Sequence, residues 1–142
     1  MGQGERDELW RRHFDVKSDR LLYADDRVVA FRDRTPRGAA HVLIVPRFVE
    51  LIGVEALTPH HLPLLAHMES IARRLTPGEE ELVLGFHRRP LRSVPFLHLH
   101  SIRPPFTSIR NRIPFMRLPL GELGFISLSD VVRRHDRKST HC

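Results

Sequence analysis

At 142 residues the chain has the length of one ordinary domain and is too short for two comfortable ones. Apolar residues make up 41%, enough for a real core, so wholesale disorder is not expected. The formal net charge of +6 is spread unevenly: residues 1–102 are nearly balanced, whereas residues 103–142 carry 8 Lys+Arg against 3 Asp+Glu. The arginines come as scattered pairs (Arg11-Arg12, Arg73-Arg74, Arg88-Arg89, Arg133-Arg134) rather than as one dense basic run. That pattern reads as a solvated, Arg-biased surface, with a polyanion-binding C-terminal tail as the alternative. The apolar run Val42-Leu43-Ile44-Val45 is far short of the roughly 20 residues a membrane span requires. No hydrophobic leader opens the sequence, so the expected location is cytoplasmic, with the nucleus as a second compartment. The single cysteine, Cys142, permits no intrachain disulfide and no Cys-based zinc site.

In chain order, residues 5–14 suit a short helix with Leu9, Trp10 and Phe14 on its apolar side. Residues 20–24 and 27–32 are strand-like, and Asp25-Asp26 between them reads as a hairpin turn. Thr35-Pro36-Arg37-Gly38 forms a turn before a β-branched strand at 41–45, which Pro46 closes. Thr58-Pro59 begins a helix, Leu65, Met68, Ala72 and Leu75 recur at helical spacing, and Thr76-Pro77-Gly78 stops it. Strands follow at 82–87 and 96–102. The prolines at 104, 105, 114 and 119 argue against regular structure between them, and 125–134 reads as a closing strand or short helix. The order β-β-β-α-β-β with hairpin-length connections predicts an α+β fold: an antiparallel five-stranded sheet with one main helix on a face. A short N-terminal helix and an extended basic C-terminal tail flank it.

Ser93-Val94-Pro95-Phe96-Leu97-His98-Leu99-His100 stands out. Side chains two apart on a strand share a face, so Phe96, His98 and His100 lie together while Leu97 and Leu99 turn into the core. Two adjacent imidazoles can act as nucleophile and acid, or as metal ligands, or be no more than surface histidines on a half-exposed strand. A third histidine, His41, opens the apolar strand that follows Phe31-Arg32-Asp33-Arg34-Thr35-Pro36.

Together these two blocks resemble the histidine triad superfamily, whose signature is His-φ-His-φ-His-φ-φ preceded by Phe-x-Asp-x-x-Pro…His-φ-φ-φ-Pro. Gly85-Phe86-His87 ahead of Pro90 and Ser93, and Leu123-Gly124-Phe125-Ile126-Ser127 later on, are most similar to the third type of histidine triad nucleotide-binding protein. The resemblance implies that His98 is the nucleophile and His100 the third triad histidine, the nearest acid for an amine leaving group. Phe96 stands where the family has its first triad histidine, and its backbone carbonyl can still hold Nδ1–H of His98. Asp33 matches the residue that bonds the ribose hydroxyls, Phe31 lies beside the base pocket, His41 belongs to the upstream block, and Ser93 matches the phosphate-holding hydroxyl. His87 sits within reach of a phosphate, or is an exposed strand-end histidine. His60, His61, His67, His135 and His141 read as surface.

By this resemblance residues 1–130 form one domain, with a Pro-rich insertion at about 104–120 and a basic tail at 131–142. The implied activity is hydrolysis of purine nucleoside 5'-phosphoramidates or acyl-nucleotides through a nucleotidyl-histidine, with no metal or cofactor. A catalytically weak or inactive nucleotide- or RNA-binding module is the alternative. The resemblance also implies a homodimer paired through the helix at 58–75 and an edge strand.

Overall fold

The computed structural model describes residues 2–88, 94–116 and 124–140. Six strands form one antiparallel sheet: β1 (Leu21–Ala24), β2 (Val28–Arg32), β3 (Gly38–Pro46), β4 (Val83–His87), β5 (Leu99–Phe106) and β6 (Phe125–Ser127). Their spatial order is β1-β2-β3-β5-β4-β6, and every pairing is antiparallel. The helices are α1 (Gln3–His13), α2 (Leu62–Leu75), the short α3 (Ile109–Arg112) and α4 (Leu128–Thr140). Among the described residues no helix is long and apolar enough to cross a membrane.

The sheet has two unlike faces because the side-chain period along a strand is two. Val28, Ala30, Val42, Ile44, Leu97, Leu99 and Phe86 pack against Leu64, Leu65, Met68, Ile71 and Ala72 of α2. The other face carries two smaller apolar clusters. Trp10 and Phe14 from the α1 end cover Val29, Phe31, Val45 and Phe96, while Phe115 and Phe125 cover Ile102. Histidines occupy the strip between them.

The hairpin turn is held by the Asp25 carboxylate, which accepts from the backbone N–H groups of Arg27 and Val28 at 2.7 and 2.8 Å. Its other oxygen lies 2.7 Å from both the Tyr23 hydroxyl and Nε2 of His67 on α2. His67 is therefore a half-buried tie between helix and hairpin rather than a surface residue. Thr58 and His61 cap a single 3₁₀ turn at Pro59–His61, and α2 itself begins at Leu62 with Pro63 in its first turn.

Three expectations are corrected. The sheet has six strands rather than five, because residues 125–127 pair with β4, opposite Gly85, Phe86 and His87. The expected basic tail is helical as far as residue 140. Leu128, Val131 and His135 recur at helical spacing and are buried, while Arg133, Arg134, Arg137 and Lys138 are exposed. The expected boundary at 130 thus falls inside α4. Regular structure also continues past residue 103: β5 runs through Pro104 and Pro105, which lie beyond its last pair with β4, Val83↔Ile102. Because consecutive residues face opposite sides, one proline lies on that unpaired side and the other in the register irregularity with β3 between Arg103 and Phe106, two places where a missing N–H is tolerated.

β6 occupies the outer edge of β4, and α4 packs on α2. The docking of β6 depends on Gly85, where a Cβ would overlap both the Phe125 ring and the Ile126 carbonyl. Gly85→Ala is expected to lower stability by about 1–3 kcal/mol, read as a lower urea midpoint. An unchanged midpoint would mean that β6 shifts at no cost.

Candidate active site

β3 and β5 bring His41 and His100 side by side at the centre of the sheet, with Nε2 of His41 3.0 Å from Nδ1 of His100. The backbone N–H of Arg37, in the turn before His41, lies 3.1 Å from His41 Nδ1 and donates to it. Neutral His41 therefore carries its hydrogen on Nε2 and donates to His100 Nδ1, which places the His100 hydrogen on Nε2. That Nε2 is buried and meets no hydrogen-bond partner among the described residues. The chain of bonds from Arg37 to His100 ends in a donor that meets no acceptor among the described residues.

His98 lies just before β5. Its Nδ1 is 2.9 Å from the Phe96 carbonyl and donates to it, which leaves the lone pair on Nε2. Phe96 itself is 2% exposed, its ring 6.4 Å from Phe14 and 6.2 Å from His13. The side chain that replaces a histidine thus belongs to the apolar cluster under α1, while its backbone holds the neighbouring imidazole. Asp33, at the end of β2, accepts the Thr35 N–H through Oδ1 at 2.8 Å and places Oδ2 3.4 Å from His41 Nε2. Phe31 is buried beneath Phe14. Ser93 lies outside the described residues.

Two further residues join this cluster: Phe115, which the sequence did not assign, and His87, read from sequence as within reach of a phosphate or as exposed at the strand end. His87 packs against His100 with ring centroids 4.6 Å apart, half-buried rather than exposed at the strand end. Phe115 packs against His41, His87 and His100, with ring centroids at 5.7, 4.8 and 5.2 Å. Neither carries a local sequence signal for this role, since β4 and the 3₁₀ turn at Ile113–Phe115 meet only in the folded chain. His135, also expected at the surface, is 7% exposed on α4, far from this cluster in the fold.

Burial sets the charge state here. It pushes His41 down to about 4, with Arg37 and His98 acting in the same direction and Asp33 opposing. Burial likewise brings His87 to about 4, and it holds His100 well below the ordinary range, where the neighbouring His98, His87, His41 and Arg37 add to the effect. The Asp33, His41 and His100 ligand atoms converge to within 4.8 Å of one another. A metal ion would need the nitrogens of both imidazoles as lone-pair donors. Here one of those nitrogens carries the hydrogen that binds the other, so the set fits a hydrogen-bonded relay and not a metal cradle.

The pKa values have a stability consequence. Histidines titrate near 6.5 when unfolded, so the unfolded chain binds more protons than the folded one between about 6.5 and 4. Stability is then full above pH 6.5 and falls with acidification, by up to about 1.4 kcal/mol per pH unit for each such group. Urea midpoints at pH 7.5 and 5 should show this loss, and His87→Phe should reduce its slope. A flat profile would refute the neutral cluster.

Residues 13–113 match the family model described as scavenger mRNA decapping enzyme C-terminal binding. The chain belongs to this family, within the histidine triad superfamily. This histidine triad protein is 30% identical over 120 residues to the bifunctional adenosine 5'-phosphosulfate phosphorylase/adenylylsulfatase of Arabidopsis thaliana, covering 81% of each chain. It is 33% identical over 90 residues to the adenosine 5'-monophosphoramidase of Xenopus tropicalis, covering 59% of its own length and 58% of the relative. Against aprataxin of Gallus gallus the identity is 33% over 92 residues, spanning 61% of this chain but 28% of that protein. Among solved structures, a histidine triad protein from Clostridium difficile superposes with a TM-score of 0.59 at 18% identity. It is covered to 97% of its length by 74% of this chain, a likeness of fold.

Proposed function

We propose that this histidine triad protein hydrolyses purine nucleoside 5'-phosphoramidates or acyl-nucleotides through a nucleotidyl-histidine intermediate. The observation that carries the reading is the bond from His98 Nδ1 to the Phe96 carbonyl, which fixes Nε2 as the nitrogen that bears the nucleophilic lone pair. In the first step Nε2 attacks the α-phosphorus, the P–N or P–O bond to the leaving group breaks, and a phosphorus–imidazole bond forms. In the second step water splits that bond and releases the nucleoside monophosphate. Dividing one difficult displacement into two is what covalent catalysis supplies.

His100 then serves as a hydrogen-bond donor rather than as the acid expected from sequence. A neutral imidazole has no proton to spare, and neither His41 nor the Arg37 N–H can replenish one. Its Nε2–H instead steadies a non-bridging phosphate oxygen as charge builds there. A leaving amine departs on a proton it carries into the site. Asp33 holds the ribose, the aromatic cluster of Phe14 and Phe31 flanks the base, and Ser93 contacts the phosphate.

Incubation with adenosine 5'-phosphoramidate is expected to yield AMP at equal rates with and without EDTA. Absence of AMP, or its loss on adding EDTA, would overturn the reading. Binding of nucleotide or RNA without turnover is the second reading, favoured by Phe96 and by the exposed Arg133, Arg134, Arg137 and Lys138 of α4. That helix packs on α2, across the sheet from the histidines, so a polyanion held there does not enter the site.

A further inference from the structure

Two groups beside His100 have no part in the steps above. His87 places Nε2 3.0 Å from the Pro114 carbonyl, a distance at which the nitrogen must carry the hydrogen and donate it. Phe115, the next residue, is 6% exposed. Its ring packs against all three imidazoles, and it also lines a groove of about 1040 Å³ that runs past Ile109, Arg112 and Met116. The ring is a partition between that open groove and His100.

The segment bearing it has few other attachments. Ile109 of α3 and Ile113 of the following 3₁₀ turn are 71% and 50% exposed, so this stretch buries little of its own. The segment is fixed at its start by the Thr107 N–H donating to the Arg37 carbonyl at 2.8 Å, and at its end by the His87–Pro114 bond and the Phe115 ring among Ile102 and Phe125. The centroid of that ring lies 5.2 Å from that of His100, whose buried Nε2 hydrogen meets no acceptor among the described residues. A buried donor of this kind is costly to keep and calls for an explanation. It is worth most to a reaction when water has not already claimed it.

The geometry points to His87 and Phe115 as positioning residues that keep water away from Nε2–H of His100 until a phosphate oxygen takes it. His87 acts through the Pro114 carbonyl, which seats Phe115, and Phe115 acts by covering the ring. This assignment deepens the hydrolase reading and rests on it.

The test compares His87→Ala with His87→Gln, both of which lose the ring but only one of which keeps an N–H able to reach the Pro114 carbonyl. His87→Ala should lower kcat by about 10–100-fold with KM changed by less than about threefold, and His87→Gln should recover most of the loss. Phe115→Leu should keep the rate that Phe115→Ala loses. Independently, in ligand-free ¹⁵N-labelled protein the His100 Nε2–H should exchange with water at least about tenfold faster in His87→Ala than in the wild type or His87→Gln. Equal rates and equal exchange in the Ala and Gln variants would overturn the proposal, as would a His87→Ala protein indistinguishable from the wild type. The exchange measurement needs no turnover, so an inert wild-type protein defeats the hydrolase reading while exchange still decides this one. Should Phe115→Ala fail to fold, the His87 pair carries the test.

Discussion

His98→Ala is expected to reduce turnover of adenosine 5'-phosphoramidate on the order of 10⁴-fold or more, while the dissociation constant for AMP changes by less than about threefold. The asymmetry follows from the division of labour in the site. The His98 lone pair forms the bond to phosphorus, whereas the ribose and phosphate contacts are assigned to Asp33, Ser93 and His100. The fold should not suffer, because His98 is only half-buried and its bond is to a backbone carbonyl two residues away. Intact-mass analysis after brief mixing with the phosphoramidate should detect a nucleotidyl adduct on the wild type and none on the variant. Residual activity above about a hundredth of the wild-type rate would move the nucleophile elsewhere.

Phe96→His should separate stability from chemistry. The Phe96 ring is buried among Trp10, Phe14, Val29 and Phe31. An imidazole placed there loses its water and gains no partner among these apolar side chains, at a cost of about 2–3 kcal/mol. The backbone carbonyl that orients His98 is untouched, so turnover should change by less than about tenfold, since one hydrogen bond is worth roughly 1 kcal/mol. Phe96→Ala should cost more, about 3–5 kcal/mol, through the cavity it opens. Chemical denaturation and steady-state rates on the same preparations read both quantities. A thousandfold gain in rate from a near-zero baseline in Phe96→His would identify the natural protein as a binding module that has given up catalysis.

Much of this arrangement was legible in the residues themselves. Alternation through 96–100 puts Leu97 and Leu99 in the α2 core and Phe96 and His100 on the other face, although regular pairing begins only at Leu99. The residues just before it bend, with the Leu97 N–H bonded to the Leu51 carbonyl instead of to a neighbouring strand. The period of two survives because burial, not the ladder, enforces it. What escaped notice were features without a local period or with a masked one. The stripe Leu128, Val131, Val132, His135 was hidden under Arg133, Arg134, Arg137 and Lys138, so a helix read as a charged tail. His87 and Phe115 lie 28 positions apart, and neither motif nor spacing links them before β4 is brought beside the 3₁₀ turn at Ile113–Phe115. His67 gave no hint of its bond to Asp25, 42 positions upstream, for the same reason.

The His41–His100 bond spans 59 positions of the chain. Closing a loop of that length costs roughly 3.6 kcal/mol in chain entropy beyond a constant, and nothing local repays it until β3 and β5 zip together. α2, by contrast, is a contiguous run that forms early and cheaply. The folding barrier should therefore be crossed as the central two strands pair, and the donor chain through His41 comes into being at that moment and no earlier. A partly folded chain, however helical, has no place to hold a phosphate. On the proposed function, nucleotide binds only the fully closed state and slows its unfolding, so the refolding rate of this protein sets how soon a newly made chain becomes competent.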